Sequence, residues 1–288
     1  MAIIIQPEIR RTSELPFHSD DAPGKRFVFV EKSLFFKSEL YVIGRRVENV
    51  PQNQIDYIQD HRHNCNSFYL FIGDDNDLTG IEAEVNIEDK RFIIQSPSTV
   101  LIPAYSLHNY KLTKGCGWFF NIILCGDYNK SLALEHDVDL PLSSSNVDKL
   151  CKKSERNLKK AGNLERPLIS PVDEITNPSR WIFVDPTMFK NAGIYLAVHQ
   201  IFSNKPFQYK MKSHHHKTDE VYIVLRKDIY ELEIYIIADN SRTKVKSPLA
   251  IYHPQHSNHK YEYISGEGLI LIILKENIPG EGYKFTFK

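Results

Sequence analysis

Apolar, β-branched and aromatic residues fall in short runs separated by turn residues along most of the chain. In the first half these runs are RFVFVEK (26–32), LYVIG (40–44), SFYLFIG (67–73), IEAEV (81–85), RFIIQ (91–95), TVLIP (99–103) and GWFFNIIL (117–124). The second half gives IYLAVHQIF (194–202), FQYKMKS (207–213), EVYIVL (220–225), YELEIYII (230–237), PLAIYH (248–253) and GLILIIL (268–274). Closely spaced strands of this kind predict an all-β chain built as barrels or sandwiches. The pattern breaks between the halves. Residues 146–161 (NVDKLCKKSERNLKKA) have helix-forming composition and end at Gly162, a suitable C-cap. The flanks carry the Ser, Pro and Asn of loops. The expected organisation is an N-terminal domain over 1–126, a connector over 127–178 with its helix at 146–161, and a C-terminal domain over 179–288. The lysine pairs at 152–153 and 159–160 are expected on a solvated helix face.

Composition narrows the field. The 288 residues carry 36 Lys and Arg against 36 Asp and Glu, a net charge of zero that argues against a broad grip on nucleic acid or on an anionic membrane. Apolar runs stay far short of the roughly 20 residues of a membrane span. The opening MAIIIQPEIRR has no basic region ahead of its apolar stretch, so no signal peptide is expected. Cys65, Cys116, Cys125 and Cys151 form no CxxC pair, which fits free thiols in a cytoplasmic protein.

Six histidines form a pattern that occurs twice. His61 and His63 are followed by Ser67, and then by Pro103 and His108. His214 and His216 are followed by Glu220, and then by Pro254 and His259. Each copy also holds an E-x-E strand, Glu82/Glu84 and Glu231/Glu233. Such self-similarity signals two copies of one architectural unit. His214, His216 and Glu220 share parity, so an extended strand sets them on one face. His259 returns on a later strand. Three imidazoles and a carboxylate can then meet on one divalent ion, leaving two adjacent positions open on an octahedral centre.

HxHxxxE followed by PxxxxH resembles the two motifs of the cupin superfamily, and two copies resemble a bicupin. The resemblance covers about residues 55–125 and 205–275. It implies two double-stranded β-helix (cupin) barrels joined by the connector, with a metal at His214, His216, Glu220 and His259. Fe(II) is the favoured ion, with Zn, Mn, Ni or Cu as alternatives. The glycine usual two residues after the proline is replaced by His256 and Tyr105. Ser67 stands where the family has Glu, which leaves His61, His63 and His108 as a degenerate three-histidine site for a second metal.

The resemblance implies a metal-dependent enzyme. The leading expectation is an Fe(II) dioxygenase acting on a small metal-chelating metabolite. A non-redox isomerase, epimerase, lyase or decarboxylase is the alternative, and a non-catalytic small-molecule binding module the third reading. His256, Tyr222 and Lys212 are the candidate catalytic residues, with Glu233 a further candidate base. Lys210 or Lys212 could bind a substrate carboxylate, pair with Glu231 or Glu233, or reach the rim. His215 has the opposite parity and is expected outside. Cys65 is either a soft extra ligand or an inert thiol. The expected partner is a small-molecule substrate, with no nucleic acid and no membrane; a homodimer is compatible with the family. The acidic stretch 73–82 lacks calcium-loop spacing and is expected to be a surface hairpin. No GxGxxG, Walker-type or GxSxG motif is present.

Overall fold

In the computed structural model the described residues are 2–51, 56–133, 151–153, 155–156, 177–185, 188–189, 192–207, 211–226 and 231–275. They form two compact units, Pro7–Ser154 and Met1–Gln6 with Glu155–Lys288. The chain is nearly all β, as the pattern of short apolar runs predicts.

Each unit pairs a seven-stranded sheet with a three-stranded one, and all the pairings between named strands are antiparallel. In the first unit the large sheet runs Cys151–Lys153, Ser98–Ile102, Ser67–Gly73, Gly117–Ile123, Tyr41–Val47, Lys25–Val30, Glu8–Ile9. The small one runs Lys90–Gln95, Ile81–Ile87, His108–Gly115. The second unit repeats this order: Ile3–Ile5, Leu249–His253, Glu220–Arg226, Gly268–Lys275, Ile194–Ile201, Ser179–Val184, Glu155–Arg156, with Ser241–Lys246, Glu233–Ala238, His259–Ser265 as the small sheet. The motif repeat is therefore a repeat of whole topology.

The two kinds of sheet carry different sequence patterns because they are buried differently. Ser67–Gly73 and Gly117–Ile123 are buried at every position and read as continuous apolar runs. Ile81–Ile87 alternates, with Ile81, Ala83, Val85 and Ile87 in the core. Its Glu82 and Glu84 point outward to Lys114 and Arg91. In the second unit Glu233 and Glu231 likewise pair with Lys244 and Lys246, not with Lys212. The E-x-E repeat is thus a solvated face, and Glu233 is no active-site base. The 73–82 segment is a hairpin, closed from Gly73 N–H to the Leu78 carbonyl and held by an Arg46–Asp74 ion pair.

The connector departs from expectation. Cys151–Lys153 and Glu155–Arg156 are strands, pairing with Ser98–Ile102 and Ser179–Val184. The helix expected at 146–161 is not formed at those residues, and the rest of that span lies outside the described residues. Sheet pairing has overridden local helix propensity there. A one-turn helix sits instead at Tyr128–Ser131, with the Asp127 side chain capping Lys130 N–H. The first strand, Ile3–Ile5, pairs with Leu249–His253 and so belongs to the second unit rather than to an N-terminal domain beginning at residue 1. Each unit thus takes its edge strand from the segment that leads into the other.

The crossing from small to large sheet turns on Gly115-Cys116-Gly117. Gly115 has φ 97°, and a Cβ there would lie 1.7 Å from the Gly80 carbonyl oxygen. Gly115→Ala should therefore lose about 3 kcal/mol or more, from left-handed strain added to overpacking against backbone. Thermal unfolding followed by circular dichroism checks this. A melting temperature within about one degree of wild type would contradict the turn geometry.

Candidate metal centre

The C-terminal motif converges. His214 and His259 form a two-way backbone bridge, His214 N–H to the His259 carbonyl at 3.1 Å and the reverse at 2.8 Å. Glu220 opens its strand beside them. His214, His216, Glu220 and His259 are all buried, and each offers a ligand atom within 4.8 Å of the others. Ligands bound at about 2.0–2.2 Å stand at most about 4.4 Å apart, so the four need only a slight contraction to hold an ion.

Hydrogen bonding sets the tautomers. Nδ1–H of His214 donates to the Lys212 carbonyl and Nδ1–H of His259 to the Ser257 carbonyl, at 3.1 and 2.8 Å. Each Nε2 is thereby turned inward, in the manner of a metal-ligating imidazole. His216 Nε2 lies 3.6 Å from Glu220 Oε1, and His259 Nε2 makes an ion-pair contact with Oε2. Burial works to raise the Glu220 carboxyl, but the charges of His259 and His216 outweigh it and hold the group below its ordinary range. Burial and His259 push His214 down to about 3. His259 goes the other way, raised against burial by Glu220. An ionised carboxylate and a neutral imidazole are the protonation states that metal binding requires.

The N-terminal motif keeps the imidazoles and lacks the acid. Ring centroids of His61 and His108 are 4.5 Å apart and those of His61 and His63 5.0 Å, the same separations as His214–His259 and His214–His216. Nδ1–H of His61 and of His108 donates to the Gln59 and Ser106 carbonyls. Ser131 Oγ spends its proton on the Tyr128 carbonyl, so it accepts from His63 Nδ1–H. All three Nε2 atoms are buried without a hydrogen-bond partner. Three inward lone pairs left unsatisfied fit a metal in chemistry and aim. Ser67 is fully buried, its Oγ also unpartnered.

The candidate catalytic residues divide. Tyr222 is buried in the site, its ring 5.9 Å from that of His259. Lys212 is exposed and contributes only its backbone carbonyl. His256 is exposed at a left-handed turn, φ 63°, where its N–H donates to the His216 carbonyl and its ring faces His215. Both side chains are exposed, whereas Tyr222 and the four candidate ligands are buried. Parity and proximity in sequence mislead here because the motif segments are irregular turns rather than strands. Cys65 is not grouped with the histidines, and burial with Cys125 nearby pushes its thiol up to about 12.

One pocket residue was not singled out by the motif. His253 is 0% exposed and directly opposite Glu220 across the sheet, so both face inward. It stacks on His259 at 4.2 Å, lies 4.9 Å from Tyr222, and neither ring nitrogen has a partner. Leu249, Ile251 and His253 share parity on one strand, and Leu249 and Ile251 lie in the core, so parity and register with Glu220 both place His253 inward.

A second repeat lies outside the histidine motif. Arg26-Phe-Val-Phe-Val and Arg180-Trp-Ile-Phe-Val start equivalent strands, and each arginine hydrogen-bonds a tyrosine 15 residues on, Tyr41 and Tyr195.

No protein-family model matches the chain, and no curated protein matches its sequence. Solved structures do match. AerE from Microcystis aeruginosa aligns with TM-score 0.55 at 13% identity, over 95% of this chain and 99% of that one. Two variants of oxalate decarboxylase from Bacillus subtilis align with TM-scores 0.56 and 0.57 at 14% and 15% identity, over 99% of this chain and 78% of theirs. No helix among the described residues is long and apolar enough to cross a membrane.

Proposed function

We propose that this bicupin-fold chain is a metal-dependent enzyme acting on a small, metal-chelating metabolite in its C-terminal barrel. The observation that carries the reading is the convergence of four buried ligand atoms from His214, His216, Glu220 and His259. A divalent ion held there would supply Lewis acidity toward a chelated oxygen or, as iron, one-electron chemistry. The chain's own residues do the rest. Glu220 brings the negative charge that selects a cation. The carbonyls of Lys212 and Ser257 hold two imidazoles in the ligating tautomer. His253 and Tyr222 present polar groups to a ligand in the pocket, while Ile272 and Leu274 exclude water.

The first chemistry is that of an Fe(II) dioxygenase, since four protein ligands leave two positions of an octahedral ion for substrate and dioxygen. The second is non-redox, a decarboxylase or other lyase. It is supported by His253, a neutral buried imidazole with both nitrogens free to exchange a proton with substrate, and by the likeness in fold to a decarboxylase. The balanced charge and the free thiols of Cys65, Cys116 and Cys125 suit a cytoplasmic small-molecule enzyme.

The test is elemental analysis of untagged protein purified anaerobically, followed by turnover of small hydroxy, keto and dicarboxylic acids with and without O₂. Iron with strict oxygen dependence selects the dioxygenase. Turnover in the absence of O₂ selects the lyase. A protein that takes up no transition metal contradicts both.

A further inference from the structure

The two barrels differ in interior charge, and the difference comes from two aligned positions. Glu220 in the second barrel is Ser67 in the first; both open equivalent strands, opposite Leu274 and Ile123. His199 in the second barrel is Arg45 in the first, opposite Ile270 and Phe119. One exchange removes a negative charge and the other adds a positive one. Arg26, directly opposite Arg45 across the strands, is the counterpart of Arg180 and brings a second cation.

Both first-barrel arginines lie within the core face. Arg26 is 3% exposed and Arg45 2%, and they share their strand face with Val28, Tyr41 and Ile43. Their hydrogen bonds go to neutral acceptors. Arg26 binds the Arg11 carbonyl and Tyr41 Oη. Arg45 binds the Ala22 and Gly24 carbonyls, Thr12 Oγ1 and Tyr110. Among the described residues no carboxylate pairs with either. Glu31, which lies near Tyr41, is engaged by Arg10. Each Nε–H is buried without a partner, and so is the hydroxyl of Tyr69. Two like charges placed opposite each other in the core repel, and a buried charge without a counter-ion is costly.

We propose that the first barrel binds a small oxyanion, a carboxylate or a phosphate, which supplies the counter-charge to Arg26 and Arg45. The second barrel carries an acid among its histidines, whereas the first, with Ser67 in that place and Arg45 added beside Arg26, has an arginine pair that an anion would balance. This site stands apart from the metal proposed in the C-terminal barrel, so either can fail alone.

Selenate serves as the probe. It is soaked into crystals of the full-length protein and located by anomalous scattering, and its binding is measured by calorimetry at constant ionic strength. One selenate is expected within hydrogen-bond reach of Arg26 or Arg45, with saturable binding. Arg45→His, which installs the residue of the other barrel, should weaken that binding about ten- to a hundredfold, the worth of a hydrogen bond to a charged group. The stronger competitor among oxalate and phosphate identifies the ligand class. Absence of selenate from the surroundings of Arg26 and Arg45, or unchanged affinity in a folded Arg45→His protein, overturns the proposal. If that variant does not fold, the wild-type anomalous map decides alone.

Discussion

Glu220→Ala is expected to empty the C-terminal site of metal and to abolish turnover with it. The carboxylate is the site's sole anionic ligand, and its two oxygens lie against His216 and His259. Loss of outer-shell partners alone typically costs ten- to a hundredfold in metal affinity. Removal of a charged ligand should therefore cost at least about a hundredfold. Fold should survive, because the lost acid leaves His259 to revert to the neutral form that burial favours. The expected signature is a wild-type protein whose melting temperature rises with added metal and a variant whose melting temperature does not, since a ligand that binds only the native state stabilises it by mass action. Glu220→Gln, which keeps the volume, should behave like the alanine variant. Full metal content and full turnover in Glu220→Ala would move the active site to His61, His63 and His108.

The motif spacing and the family it resembles made the architecture and the four candidate metal ligands legible. Histidine and glutamate at ligand-type intervals, repeated at a near-constant offset, signalled two copies of one unit, and the resemblance to the cupin superfamily implied that the unit is a barrel. What stayed hidden depended on the strand register. His253 lies outside the repeated motif; its pairing opposite Glu220 and its parity with the core residues Leu249 and Ile251 show that it faces inward. His256 and Lys212 have the residue types of catalysis, yet the backbone around them is turn, where period-two parity no longer holds. The helix expected at 146–161 rests on local propensity alone, and Cys151–Lys153 shows a sheet edge prevailing over it. Arg26 and Arg45 carry no such signal, because arginine on a strand usually reads as surface. Burial of both is the tertiary fact that no window of sequence reveals.

Ser67→Glu is expected to convert the degenerate first site into a complete one. The three imidazoles already stand at the spacing of the complete site, with the protons of their Nδ1 atoms engaged and their Nε2 atoms unpartnered. Ser67 sits in register where Glu220 sits in the other barrel. The variant should therefore take up one more equivalent of transition metal per chain than wild type, read by elemental analysis after dialysis. Its stability should split by condition. Without metal, a carboxylate has been added to a fully buried position, and the protein should melt below wild type. With metal at about a hundred times the dissociation constant, the bound ion contributes about 2.7 kcal/mol, and the order should reverse. Because the two effects have opposite sign, a general loss of packing cannot mimic them: it would lower the melting temperature with and without metal. If the variant gains no metal, the three histidines do not converge in solution, and the first barrel holds no latent cation site.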